Sequence, residues 1–161
     1  MDVTEADHAY MRLALEQAAH SAALGEVPIG AVLVHEGRVL AQSHNHREAW
    51  QDPTAHAELI VVREGAKTLR RWRLVDTTLF VTLEPCAMCL GAIVLARIPR
   101  LVFGAKDPKA GACGSVLDFA SNPRLNHRVE VIGGLLEEES QQMLSDFFKA
   151  LRAQQPDCRA S

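Results

Sequence analysis

The chain has 161 residues, 48% of them hydrophobic and 23% charged, with a net charge of −3 at neutral pH. That length and balance suit one soluble domain with a real core, and they weigh against nonspecific, charge-driven binding of nucleic acid, although a local basic patch could still recognise RNA. No apolar run approaches the roughly eighteen residues of a membrane-spanning helix.

From Thr4 to Leu24 the apolar positions Met11, Leu15, Ala18, Ala19 and Ala22 recur at helical spacing, and Gly25 ends the run. Ile29 to Val34 and Arg38 to Gln42 read as a hairpin turned at Glu36-Gly37. Asp52-Pro53-Thr54 supplies helix-start residues, and Ala55 to Leu69 continues as a helix. Thr78 to Leu83 reads as a short buried strand, and Glu84-Pro85 leads into a helix from Cys86 to Ala96. Leu101 to Gly104 is another strand, Ala105 to Gly114 a loop, Arg128 to Ile132 a last strand, and Glu137 to Arg152 a closing amphipathic helix. Strands alternating with helices predict a three-layer α/β/α sandwich around one mixed sheet. No repeat or linker divides the chain, so residues 1–153 are expected to form one domain, with 154–161 a frayed tail.

The N-terminus, Met1-Asp2-Val3-Thr4-Glu5-Ala6-Asp7, lacks the basic and apolar parts of a signal peptide, so the expected compartment is the cytosol. There the four cysteines favour metal or catalytic roles over disulfides. Two segments carry chemistry: His56-Ala57-Glu58 and Pro85-Cys86-Ala87-Met88-Cys89. One histidine and two cysteines make three ligands for Zn²⁺ and leave the fourth tetrahedral position open for water, the arrangement of a catalytic site. The spare carboxylate of Glu58 can move protons to and from that water.

The spacing suits this use. Cys86 and Cys89 are three apart at a helix start, about 4.5 Å along the axis, and two sulfurs on one zinc stand roughly 3.8 Å apart. A helix N-terminus favours thiolate, the form a metal takes. Glu58 lies about 200° round its helix from His56, away from the histidine's coordination direction. Other readings stay open on these residues alone. C-x-x-C can be a redox pair, and Cys113 could close a structural site as a fourth ligand. Cys158 reads as incidental, and His8, His20, His35, His44 and His46 as surface or locally hydrogen-bonded residues. Arg70-Arg71-Trp72-Arg73 reads as a solvated helix end or a dimer rim.

H-x-E followed by P-C-x-x-C is shared by zinc deaminases of nucleobases in general. More selective are Val27-Pro28-Ile29-Gly30-Ala31-Val32, Asp52-Pro53-Thr54-Ala55-His56-Ala57-Glu58 and Thr82-Leu83-Glu84-Pro85-Cys86-Ala87-Met88-Cys89, with Phe103-Gly104-Ala105-Lys106-Asp107 and Asn126-His127-Arg128-Val129-Glu130. Through these, residues 11–152 closely resemble the bacterial tRNA-specific adenosine deaminases of the cytidine-deaminase-like superfamily. The resemblance implies a central mixed five-stranded sheet and one Zn²⁺ per chain on His56, Cys86 and Cys89. It implies Glu58 as proton shuttle and conversion of adenosine to inosine at the wobble position of a tRNA anticodon stem-loop. It also implies that Asn45 holds the extruded nucleoside, and that Lys106, Asp107, Phe148 and Arg152 hold its neighbours by stacking and phosphate contacts. Phe147 or Phe148 can equally serve the core. The family forms homodimers. The chain departs from its relatives at Cys113, where a small nonligand residue is usual. Two rivals remain: a deaminase of free guanine or cytosine, and a noncatalytic RNA-binding module with a structural zinc.

Overall fold

The computed structural model describes residues 2–155. Its first element, α1 (Glu5–Ala23), begins in a capping box: the Asp7 N–H donates to the Thr4 hydroxyl at 3.1 Å, and the Thr4 N–H donates to the Asp7 carboxylate at 2.9 Å. Strands β1 (Gly30–His35) and β2 (Arg38–His44) form the expected hairpin. Glu36 and Gly37 both take positive φ, 49° and 72°, the pair a two-residue hairpin turn requires. A short helix, α2 (Arg47–Trp50), follows, and then α3 (Ala57–Leu69). Strand β3 (Thr77–Leu83), helix α4 (Ala87–Leu95), strands β4 (Arg100–Ala105) and β5 (Glu130–Gly133), and helix α5 (Glu137–Gln154) complete the order. The remainder of the expected tail, including Cys158, lies outside the described residues.

The sheet runs β2-β1-β3-β4-β5, antiparallel across the first three strands and parallel across the last three. Helices α1 and α5 cover one face; α3 and α4 cover the other. The central strands alternate between the two layers. Leu33, Leu79, Val81 and Leu101 pack with Val61, Leu90 and Ile93, whereas Val32, Phe80 and Val102 pack with Met11 and Ala14. Strands buried on both faces read as continuous apolar runs, and each such side chain contributes about 2 kcal/mol. Asp7 also meets Arg100 through two charged hydrogen bonds of 2.8 and 2.9 Å, which join the start of α1 to β4 and hold the Asp7 carboxyl below its ordinary range.

Two local differences from the sequence reading concern the site. Helix α3 starts at Ala57 and not at Ala55, because Asp52 Oδ1 accepts from the Thr54 N–H at 2.8 Å and makes a turn upstream of the helix. His56 is therefore the N-cap. Helix α2 was not expected. Its second and third amides, on Glu48 and Ala49, donate to the Glu26 carboxylate at 3.2 and 2.6 Å, a partner far away in sequence.

Candidate active site and metal centre

His56 caps α3 and Cys86 caps α4, both with extended backbone and neither using its side chain to satisfy the helix end. Their side chains instead turn towards each other. His56 Nδ1 lies 3.7 Å from Cys86 Sγ and 3.4 Å from Cys89 Sγ. A tetrahedral ion with bonds of about 2.3 Å to sulfur and about 2.05 Å to nitrogen would place each sulfur about 3.6 Å from the nitrogen. The two observed separations bracket that value, so these residues fit a metal. The three ligand atoms form a cluster that neither Glu58 nor Cys113 joins.

The charge arrangement points the same way. Hydrogen bonding from Cys89, and then from His56, pulls the Cys86 thiol down to about 3 against the effect of burial. Cys89 is pushed up by sharing its proton with Cys86 and by burial. His56 is raised by the Cys86 sulfur and by the Glu58 charge. The opposed shifts of the two thiols, with the imidazole beside both, mark three metal-type donors crowded into one small space. Glu58, in the first turn of α3, is 4% exposed, and burial raises its carboxyl above the ordinary carboxylate range.

His56, Glu58 and Cys86 open on one cavity of about 410 Å³. Asn45, Lys106, Asp107 and Phe148 also line it, as does Arg47, which the sequence reading did not single out. Asn45 is 1% exposed, and its Oδ1 accepts from the Arg47 N–H at 3.1 Å. A backbone N–H only donates, so the oxygen must be the atom facing Arg47. The Asn45 Nδ2 is left buried with no protein partner. Asn45 thus brings an unpartnered NH₂ donor to the cavity. Asp107 folds its own turn, with Oδ1 accepting from Lys109 and Ala110 at 3.0 and 3.3 Å. Phe148 is 38% exposed and meets Phe147 edge-on, so of the two readings it is the cavity and not the core that receives it. Arg152 stands exposed near the end of α5, outside the cavity lining.

Three other expectations can be placed. His44 and His46 are locally hydrogen-bonded, to Asn45 O and His44 O. Trp72 is 60% exposed under the Arg73 guanidinium, just beyond the end of α3. Cys113 is half-buried, and its backbone N–H donates to Glu84 Oε1 at 3.0 Å.

Sequence reading passed over two buried acids, Glu26 and Glu84, each 2% exposed. Burial opposes ionisation of Glu84, yet hydrogen bonds from Ser115, Asp107 and Cys113 outweigh it and hold the carboxyl below its ordinary range. A charged residue at the end of an apolar strand with no cation nearby in sequence was the available signal.

The profile of the MafB19-like deaminase family matches residues 5–152. A tRNA-specific adenosine deaminase of Bacillus subtilis (strain 168) is 49% identical over 153 residues, 95% of each chain. One from Haemophilus influenzae is 51% identical over 150 residues, 92% of this chain and 87% of the relative. A solved structure from biochemical and structural studies of A-to-I editing by tRNA:A34 deaminases at the wobble position of transfer RNA superposes with a TM-score of 0.82. It is 48% identical and covers 84% of this chain and 99% of its own. With a matching fold, the His/Cys/Cys cluster and a buried glutamate beside it, the chain belongs to the tRNA-specific adenosine deaminases, within the MafB19-like deaminase family.

Proposed function

We infer that the protein hydrolyses adenosine to inosine at the wobble position of a tRNA anticodon loop, with one zinc ion per chain held by His56, Cys86 and Cys89. The observation that carries this reading is Glu58, a buried carboxyl outside the His/Cys/Cys cluster but open to the same cavity. A closed structural metal site has no use for such a group.

The reaction adds the oxygen of water to C6 of adenine and releases the amino group as ammonia. Zinc on these three donors supplies the polarisation that makes water nucleophilic near neutral pH. Glu58 takes a proton from the attacking water for ring nitrogen N1 and passes the second to the amino group, which departs as ammonia. Its raised carboxyl suits it to both halves of that task. The unpartnered Nδ2 of Asn45 donates to an acceptor on the nucleoside. Phe148, with Leu144 one turn earlier, offers an apolar rim for a base, and Arg47, Lys106 and Lys109 bring cationic side chains for phosphate to a cavity also lined by Glu58, Glu84 and Asp107. Arg152, in the last turn of α5, adds a further cation for phosphate. A loop nucleotide is already partly unstacked, so it costs less to extrude than a paired base.

The catalytic unit is residues 1–153, working as a homodimer in the cytoplasm, where tRNA is found. None of the described helices is long and apolar enough to cross a membrane.

The test is inosine formation by the zinc-loaded protein on an anticodon stem-loop with adenosine at the wobble position, beside free adenosine, guanine and cytosine. Conversion of the stem-loop alone is expected. Turnover of a free base would keep the chemistry and overturn the RNA assignment. Zinc binding with no turnover would favour a noncatalytic RNA-binding module.

A further inference from the structure

Between β4 and β5 the chain runs from Lys106 to Val129 with no helix or strand, only isolated bridges at Gly111 and Cys113. Long irregular segments in compact domains are usually functional, and the first five residues of this one, from Lys106 to Ala110, line the cavity. We propose that Glu84 is the positioning residue for this wall, and that its carboxylate sets where Lys106 and its neighbours meet the RNA. The proposal rests on the tRNA reading above.

The geometry is that of a clasp. Glu84 Oε2 accepts from the Asp107 N–H at 2.9 Å and from the Ser115 hydroxyl. Oε1 accepts from the N–H groups of Cys113 and Ser115 at 3.0 and 3.1 Å. Each oxygen thus receives two bonds, all four from one loop, and the loop's amides balance the charge in place of a cation. The main chain adds its own ties on either side. The Glu84 N–H donates to Ala105 O at 2.8 Å, the Ala112 N–H donates to Pro85 O at 2.9 Å, and Cys86 bridges to Gly111. Gly111 is needed for the fit, since a Cβ there would collide with the Glu84 carboxylate. The residue two positions before Cys86 therefore fixes the register between the metal-binding segment and the wall that faces the substrate. A shift of that wall by about 1 Å is enough to cost up to a hundredfold in turnover efficiency.

Glu84→Gln keeps the shape of the side chain but sets an NH₂ group against N–H donors. In the zinc-loaded full chain we expect wild-type zinc content. Hydrogen-exchange protection at the amides of Asp107, Cys113 and Ser115 should fall at least about tenfold, with the amides of β3 unaffected. On the anticodon stem-loop KM should rise about tenfold, with kcat within about threefold of wild type. Ser115→Ala, outside the cavity lining, should move KM the same way by about threefold. Loss of zinc, or a fall in kcat at constant KM, would assign Glu84 to the metal centre and overturn the proposal. If Glu84→Gln does not fold, Ser115→Ala decides, and an unchanged KM overturns it. Exchange needs no turnover, so unchanged protection overturns the clasp even if the stem-loop proves not to be a substrate.

Discussion

The two walls of the cavity are built by different means. On one side His56, Glu58, Cys86 and Cys89 all stand at the start of a helix, and buried Ala57, Val61, Leu90 and Ile93 lock α3 and α4 onto the sheet. On the other side Lys106 to Ala110 belong to a loop with no regular backbone, anchored by a carboxylate reaching across from the end of β3. Helix geometry fixes each pair of reacting groups, His56 with Glu58 and Cys86 with Cys89, from residues two or three apart in the chain. The substrate-facing wall is held from a distance, by the Glu84 side chain together with a few main-chain ties. Chemistry and substrate positioning are therefore separable, and substitutions on the two sides should fail in different ways.

The largest effect belongs on the helix side. Glu58→Ala should retain stoichiometric metal, because its carboxylate is outside the ligand cluster, and should lose deamination by about 10²–10⁴-fold, the range for removing a positioned acid–base group. Metal content by elemental analysis and single-turnover inosine formation check both halves. Metal loss would make Glu58 a ligand, and substantial residual turnover would remove the proton-transfer role.

Asn45 tests whether anything outside both walls reads the nucleoside. Its buried Nδ2 has no protein partner, an arrangement that costs stability unless a ligand uses it. Asn45→Ala removes that orphan donor but also the acceptor for the Arg47 N–H, so the two changes oppose each other in stability. Tm should move little, while kcat/KM on the stem-loop falls by about tenfold, the worth of one lost buried hydrogen bond. An unchanged kcat/KM would take Asn45 out of the site. A large drop in Tm with proportional loss of activity would make it a structural residue.

What the sequence disclosed follows the same division. The hairpin at Glu36-Gly37, the buried run of β3 and the two ligand segments are local patterns, and local patterns are legible. The start of α3 was misplaced by two residues because Asp52-Pro53-Thr54 has the composition of a helix cap while folding as a separate turn. Helix α2 has four residues and depends on Glu26, 22 and 23 positions away from the amides it holds. Glu84 likewise finds its partners 23, 29 and 31 positions downstream. No periodicity or spacing rule reports hydrogen bonds of that range. The resemblance named Lys106, Asp107 and Phe148, but it could not say that Asp107 spends its carboxylate on its own turn.

Cys113 gives the smallest expected effect and the sharpest check on the comparison, because it touches both walls. Its sulfur stands outside the His56, Cys86 and Cys89 cluster, and burial, then the charges of Glu84 and Asp118, push its thiol up to about 12. What it contributes to the loop is its backbone N–H, donated to Glu84, which alanine supplies equally well. Cys113→Ala should therefore keep full metal content and change KM for the stem-loop by less than about twofold. A large loss of metal would make Cys113 a fourth ligand and close the coordination position that water needs. A rise in KM at constant metal content would instead give the sulfur itself a part in holding the loop, which the clasp by Glu84 leaves no place for.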